Sequence, residues 1–357
     1  MSLFSRTRDS VACMVDDRFI RFFHVARDGK DVVVKNYFSE RIPDHLFDEQ
    51  RRFYPDDALI ARLTQTRKRH KFEKIHMVIP DRYITVFHTV VPRGVFASEK
   101  SLRIAIERHL ENLLVDHPEF SPTDMIEDYE VIEETPDGIE VHVSVARPDR
   151  FAHIPKLLEA AGFVIDEIDI ASSAVNRIVR DLSATPSYGT ISVGTHTTEV
   201  SIVSSGKIIA SSWCHVGSDD LITTIQNTLA ISRTEAERII REYGILHVHP
   251  DKNVLAALFM TIKPVVEAIH RVQATATKNV YKHSFYHVRP DVFYIYGIGA
   301  GINGIPQYLG IKSGAIARVI DLIPAETLDE AAMIQIPVEI LPAYLPVISA
   351  AVHFLAE

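Results

Sequence analysis

The sequence predicts an α/β chain of two similar lobes facing each other across a cleft, with a small α+β module inserted in the first. Two observations carry that prediction. Three meandering strands that start at Val11 are matched by three in the same order that start at Thr190. Each block is followed by helices and a further strand, the mark of an internal duplication. Between the blocks, residues 82–161 hold a helix and strands that belong to neither repeat. The expected divisions are 1–81 for the first part of lobe one, 82–161 for the module, 162–188 and 334–357 for the rest of lobe one, and 189–333 for lobe two. A chain of 357 residues exceeds what one core usually covers.

The elements follow in order. Val11 to Val15, Phe19 to Ala26 and Val32 to Phe38 alternate as strands, the last two joined by a turn at Asp28-Gly29. A helix over 56–68 has Pro55 near its start, and Ile75 to Ile79 is a short apolar strand stopped by Pro80. The module opens with a strand from Tyr83 to Val90. Ser98 is placed to cap a helix from Glu99 to Val115, with Leu102, Ile106, Leu110 and Leu113 on one face. Strands Met125 to Glu133 and Ile139 to Ala146 flank a turn at Pro136-Asp137-Gly138, and a helix over 149–161 ends at Gly162. Strand Phe163 to Ile170 and helix Ala171 to Leu182 return to lobe one. Lobe two has its strands over 189–213, helices over 217–230, 233–243 and 253–281, and a strand from Val292 to Tyr296. That strand runs into the glycine-rich IYGIGAGINGIPQYLG, and helices are expected over 327–333 and 343–356.

Composition narrows the function classes. Hydrophobic residues make up 46% and charged residues 24%, which suits a folded soluble protein. A net charge of −9 gives no bulk attraction to nucleic acid. The basic run Arg67-Lys68-Arg69-His70-Lys71 reads as a helix end that complements the dipole. No run of 18 apolar residues appears and the N-terminus lacks an apolar signal core, so a cytoplasmic protein without direct membrane insertion is expected. Cys13 and Cys214 sit in apolar strands and read as reduced, buried thiols. His247-Val248-His249 has no partner ligands in view, so no metal site is expected. No G-x-S-x-G marks a hydrolase. Asp219-Asp220 reads as a solvated helix start, and Trp213 as a packing residue.

Two such lobes with a glycine-rich turn at the cleft floor build an actin-like (ribonuclease-H-like) fold. Five segments stand out: Asp128-Tyr129-Glu130-Val131-Ile132, LLEAAGFVIDEI at Leu157 to Ile168, Val216 to Ile225, RTEAERII at Arg233 to Ile240, and the turn at Gly297. With them the chain resembles the type IV pilus assembly protein PilM family, relatives of the cell-division protein FtsA. The order of the segments runs nearly the full length. The resemblance implies that 1–81 is of the 1A type, that the module is of the 1C type (SHS2-like) and that the second lobe is divided as 2A and 2B.

The resemblance also implies where a nucleotide would sit. Actin-like ATPases hold Mg-ATP on two turns, each with an aspartate, then a glycine, then small hydroxyl residues. Aligning the strands puts Met14 at the first acidic position and Asp16 at the glycine; a shifted register makes Asp16 the acid and puts Arg18 at the glycine. In the second turn Ser192 stands at the acid, Gly194 is kept, and Thr195, Thr197 and Thr198 supply hydroxyls. The other candidate contacts are Gly217, Ser218, Glu237, Gly297, Gly299, Ala300 and Gly301. The lysine expected after Glu237 is Ile240. Without the metal carboxylates, phosphoryl transfer loses the electrostatic stabilisation it depends on. No catalytic residue and no required cofactor are expected, with Mg-ATP the one candidate ligand. The family implies instead a scaffold that captures the N-terminal tail of an inner-membrane PilN-like partner and meets other pilus-assembly components. That groove is expected between lobe one and the module, at Tyr83, Val86, Leu102, Ile106 and Leu110. The alternative is an active actin-like ATPase or an FtsA-like filament former, and a homo-oligomer is left open.

Overall fold

The structure is a computed structural model that describes residues 9–29, 31–48, 53–92, 99–113, 125–136, 138–245, 250–281, 289–321, 323 and 336–356. Ser98, the stretch 327–333 and His247 to His249 lie outside the described residues. Lobe one begins with β1 (Asp9–Val15), β2 (Phe19–Asp28) and β3 (Asp31–Arg41), then α1 (Asp57–His70) and β4 (Lys74–Ile79). Asp56 caps α1 by accepting from the Leu59 N–H at 2.8 Å, and Lys71 ends it in the left-handed region. The module contains β5 (Ile84–Pro92), α2 (Glu99–Leu113), β6 (Ile126–Thr135) and β7 (Gly138–Ala146). The helix expected over 149–161 is divided at Ala152 into α3 (Pro148–Phe151) and α4 (His153–Ala160). Next come β8 (Val164–Ile170) and α5 (Ala171–Leu182).

Lobe two holds β9 (Ser187–Val193), β10 (Thr198–Ser204), β11 (Lys207–Cys214), α6 (Ser218–Leu229), α7 (Arg233–Tyr243), α8 (Lys252–Tyr281), β12 (Val292–Tyr296), α9 (Ile305–Ser313) and β13 (Ile316–Val319). The last helix, α10 (Leu341–Ala356), packs on β1, β2, β4 and α5. The glycine-rich stretch after Tyr296 reads as a strand-to-helix turn, and α9 follows it; β13 is not foreseen. Gly304 and Pro306 look like loop residues, but Pro306 lies in the first turn of α9, where its missing N–H costs nothing.

The duplication is visible in the sheets. One has the order β3-β2-β1-β4-β8 and the other β11-β10-β9-β12-β13, each antiparallel through its meander and parallel beyond it. A shared core runs between them. Phe23 and Val25 of lobe one and Tyr188, Tyr294 and Tyr296 of lobe two close on Val175 of α5 and on Leu345 and Ile348 of α10. The outer face of sheet one is covered by α1 and α4, and that of sheet two by α6, α7 and α8. Helix α8 is long and apolar enough to cross a membrane by length and composition. Its stripe of Val254, Leu258, Ile262, Val265, Ile269 and Val272 is buried in the core of lobe two.

The module is a three-stranded sheet, β5-β7-β6, with α2 laid on it. This corrects one expectation. Leu102, Ile106 and Leu110 do not line an open groove: all three are buried against Val91, Val141, Val143 and Val145 of their own sheet. Ile106→Val should therefore lower the stability of the module by about 1 kcal/mol, read by denaturant unfolding, and leave binding at other faces unchanged.

Candidate functional site

The two facing turns have one geometry and different chemistry. In lobe one Val15 pairs with Ile20, and the turn closes by the Asp16 N–H to the Phe19 carbonyl at 3.0 Å. In lobe two Val193 pairs with Thr198, and the Gly194 N–H meets the Thr197 carbonyl at 2.8 Å. The ladders thus align Met14 with Ser192 and Asp16 with Gly194, which selects the first of the two registers considered above. Met14 is buried in the apolar core. Asp16 accepts from the N–H groups of Arg18 and Phe19, both at 2.8 Å, and pairs with Arg21, so its carboxylate holds its own turn.

The groups that would cradle phosphate are also engaged. The Ser218 and Asp219 N–H groups at the start of α6 donate to the Gly194 and Thr195 carbonyls at 3.0 and 2.9 Å. This close approach needs Gly217, where a Cβ would lie 2.3 Å from the Thr195 carbonyl oxygen. The Thr198 hydroxyl donates to the Val216 carbonyl at 2.7 Å, and the Thr197 hydroxyl to Asp17 at 3.0 Å. Thr195 Oγ1 is buried without a hydrogen-bond partner among the described residues. Asp219, with Asp220, sits at the positive end of the helix dipole. Asp219 pairs with Arg18 of lobe one at 3.0 Å and with Arg233, and Asp220 caps the Gly217 N–H at 2.8 Å. Burial opposes the Asp219 charge, but the bonds and charge of Arg233 hold its pKa below the usual range. Asp219 is therefore built into the lobe contact, and Asp220 into the start of its own helix.

Arg82 completes the closure. It reaches Asp17 at 2.7 Å and Glu199 at 3.7 Å, and the Asp81 and Arg82 N–H groups both donate to Glu199 at 3.2 Å. Burial works against the Arg82 charge, yet the surrounding acids, Asp17 first, raise its pKa. Glu199 is raised, first by burial and then by the charge of Asp81. What remains between the turns is a cavity of about 30 Å³. Ligand pockets usually measure about 300 Å³ or more, so Mg-ATP does not fit these residues as they stand.

The structure brings Gly194, Thr195, Thr197 and Gly297 to this cavity, together with Met14, Ser192 and Tyr296. Gly297 is at φ 90°, and a Cβ there would meet the Val193 carbonyl oxygen at 2.5 Å. Thr198, Gly217, Gly299 and Ala300 are packing positions behind it, with Ser218 against Gly299. Gly301 is exposed, and Glu237 forms an ion pair with Arg233 at 3.0 Å outside the cavity. Ile240, at the expected lysine, is in the core. Among the described residues no group of three or more His, Cys, Asp or Glu side chains is arranged to hold a metal.

A second cavity of about 650 Å³ opens where lobe one, the module and lobe two meet. Phe53, Tyr54 and Pro55 line it from lobe one, Tyr83, Arg147, Arg150 and His153 from the base of the module, and Trp213 and His215 from the end of β11. The His153 ring stands edge-on to Phe53 and Tyr83, at 5.6 and 6.4 Å between centroids. Burial, then the Arg82 charge, lowers its pKa, and its Nε2 is buried without a hydrogen-bond partner among the described residues. Asp17, Arg82 and Thr197 belong to the walls of both cavities. Of the five groove residues expected from sequence, Tyr83 lines this space. Val86 lines a smaller one of about 250 Å³ between the module sheet and lobe two, near the ion pair of Lys207 with Glu130. Trp213, which reads as a packing residue, and His153, which the sequence does not single out, both line this cavity: nothing in a lone aromatic or histidine tells a core ring from a cavity wall.

Comparisons agree with this architecture. The family profile described as Type IV pilus assembly protein PilM matches residues 15–334. No curated protein sequence matches the chain. Among solved structures, a "PilM-PilN type IV pilus biogenesis complex" superposes with a TM-score of 0.71 at 17% identity, over 97% of this chain and 98% of that one. MreB 5 of Spiroplasma citri bound to AMPPNP gives 0.51 at 11% identity, over 97% and 95%. Its ADP-bound form gives 0.50 at 11% identity, over 96% and 95%. At such identities these likenesses show the fold. An actin-like two-lobe chain, matched by that profile over most of its length, belongs to the PilM family of type IV pilus assembly proteins.

Proposed function

We propose that this protein is a non-catalytic scaffold of a type IV pilus machine, and that it captures the cytoplasmic N-terminal tail of a PilN-like inner-membrane protein. The carrying observation is the contrast between its two cavities. The interlobe cleft is closed by its own side chains, whereas the 650 Å³ space beside the module is open and walled by aromatic rings. An extended peptide needs apolar walls and a few polar hooks, not a metal. Phe53, Tyr54, Tyr83 and Trp213 supply the walls, and the exposed Arg150 supplies a hook. The solved PilM-PilN complex with the same fold supports this reading. Such a tail would hold the scaffold peripherally at the inner membrane. An ATP-driven filament former would require the cleft to open and the Arg18–Asp219 and Arg82–Glu199 contacts to part.

The test is a titration of the folded protein with a synthetic peptide of the PilN-like tail. Saturable binding that a bulky probe attached beside Tyr54 blocks is the expected result. A folded protein that shows no binding rejects the proposal.

A further inference from the structure

Three buried carboxyls and one guanidinium lie where the lobes and the module meet: Asp17 and Glu199 face the guanidinium of Arg82, and the Asp81 carboxyl turns to Ser172. Asp17 lies in the first turn of lobe one, Asp81 and Arg82 form the joint from β4 into the module, and Glu199 lies on β10. Asp17, Asp81 and Glu199 are 6%, 8% and 5% exposed. Asp81 also accepts from the Ser172 N–H at the start of α5, at 2.9 Å, so it ties the joint to the helix between the lobes. The Glu199 carboxyl takes both joint amides, so lobe two holds the joint through it.

The charges do not balance. Three ionised carboxylates and one guanidinium leave two negative charges among side chains that are at most 12% exposed, a costly arrangement even though Asp17 and Arg82 also border the larger cavity. The neighbours do not cancel them. Arg21 of β2 is paired with Asp16, and Arg177 of α5 with Asp169. Tyr296 of β12 adds a phenol, Tyr83 stacks under Arg82, and His153 of α4 is held toward its neutral form. The remaining neighbours are the hydroxyls of Ser172, Ser192, Ser201 and Thr197 and the ring of Trp213, which lies opposite Glu199 on β11.

We propose that this cluster is a proton-linked latch: the lobes close with one proton held on the Asp81–Glu199 carboxyl pair, and its release to solvent loosens β10 from the Asp81–Arg82 joint. Burial raises both carboxyls, and the charge of Asp81 raises Glu199 further. The closed form therefore binds more protons than the open one. Its stability is full below the ordinary carboxyl range and is lost as pH rises through the raised values. Each unit by which a pKa is raised is about a tenfold change in the closing equilibrium.

Amide hydrogen exchange at Asp81 and Arg82 reads the latch, since those N–H groups are free only when Glu199 has left. After correction for intrinsic rates, their protection in the wild type should fall about tenfold or more between about pH 5.5 and about pH 8.5. Glu199→Gln keeps the shape and cannot ionise, and its protection should stay level. Asp81→Asn should flatten the profile in the same way and serves if the first variant does not fold. A wild-type profile that is level, or variants whose protection falls as steeply as that of the wild type, overturns the latch.

Discussion

Arg82→Ala is expected to destabilise the protein by about 3–5 kcal/mol, measured by denaturant unfolding near neutral pH. The size follows from what the arginine leaves behind. Asp17 and Glu199 would stay buried without the guanidinium that now sits 2.7 and 3.7 Å away. Replacing a whole buried ion cluster by apolar residues can be neutral, but removing one member strands the others. The loss should shrink toward acid pH, where the stranded carboxyls take protons and the buried charge disappears. A loss of less than about 1 kcal/mol would mean that the cleft is already wet and loose, because exposed ion pairs are worth that little.

Trp213→Ala is expected to weaken tail binding by about 30-fold or more, the cost of about 2 kcal/mol typical of a central aromatic contact. Trp213 is the largest side chain on the lobe-two wall of the open cavity and is braced at 4.6 Å by His215. It lies outside the main hydrophobic cores, so the fold should survive its truncation. The titration of the proposed tail measures the change, with Ile106→Val, a variant inside the module core, as the control that should bind like the wild type. Equal affinity for Trp213→Ala and wild type would move the tail elsewhere on the protein.

Much of the architecture was legible before any coordinates. Strand alternation and hairpin turns are local signals, and their repetition from Val11 and from Thr190 revealed two equal sheets. The same alternation left two registers for the first turn, one of them with Met14 equivalent to Ser192, and the ladders agree with that one. The contacts that define the cleft were not legible. Glu199 meets the Asp81 amide across 118 positions, and Arg18 meets Asp219 across 201. No local pattern announces such pairs, and Asp219-Asp220 accordingly read as a solvated helix start. The stripe on α2 misled for a related reason. Leu102, Ile106 and Leu110 say that one face of the helix is buried, but not that the module's own sheet is what buries it. The bounds of α9 were hidden by glycines and a proline that mark a loop in one context and a helix start in another.

The central claim is that side chains, not a nucleotide, close this actin-like cleft. Calorimetric titration of the purified protein with Mg-ATP tests it most directly. The account predicts no saturable heat beyond dilution, because about 30 Å³ between Met14, Arg82, Ser192 and Tyr296 leaves no room for the ligand and neither acidic position carries a carboxylate. A magnesium-dependent dissociation constant at or below about 1 μM, a binding free energy of about −8 kcal/mol, would contradict it.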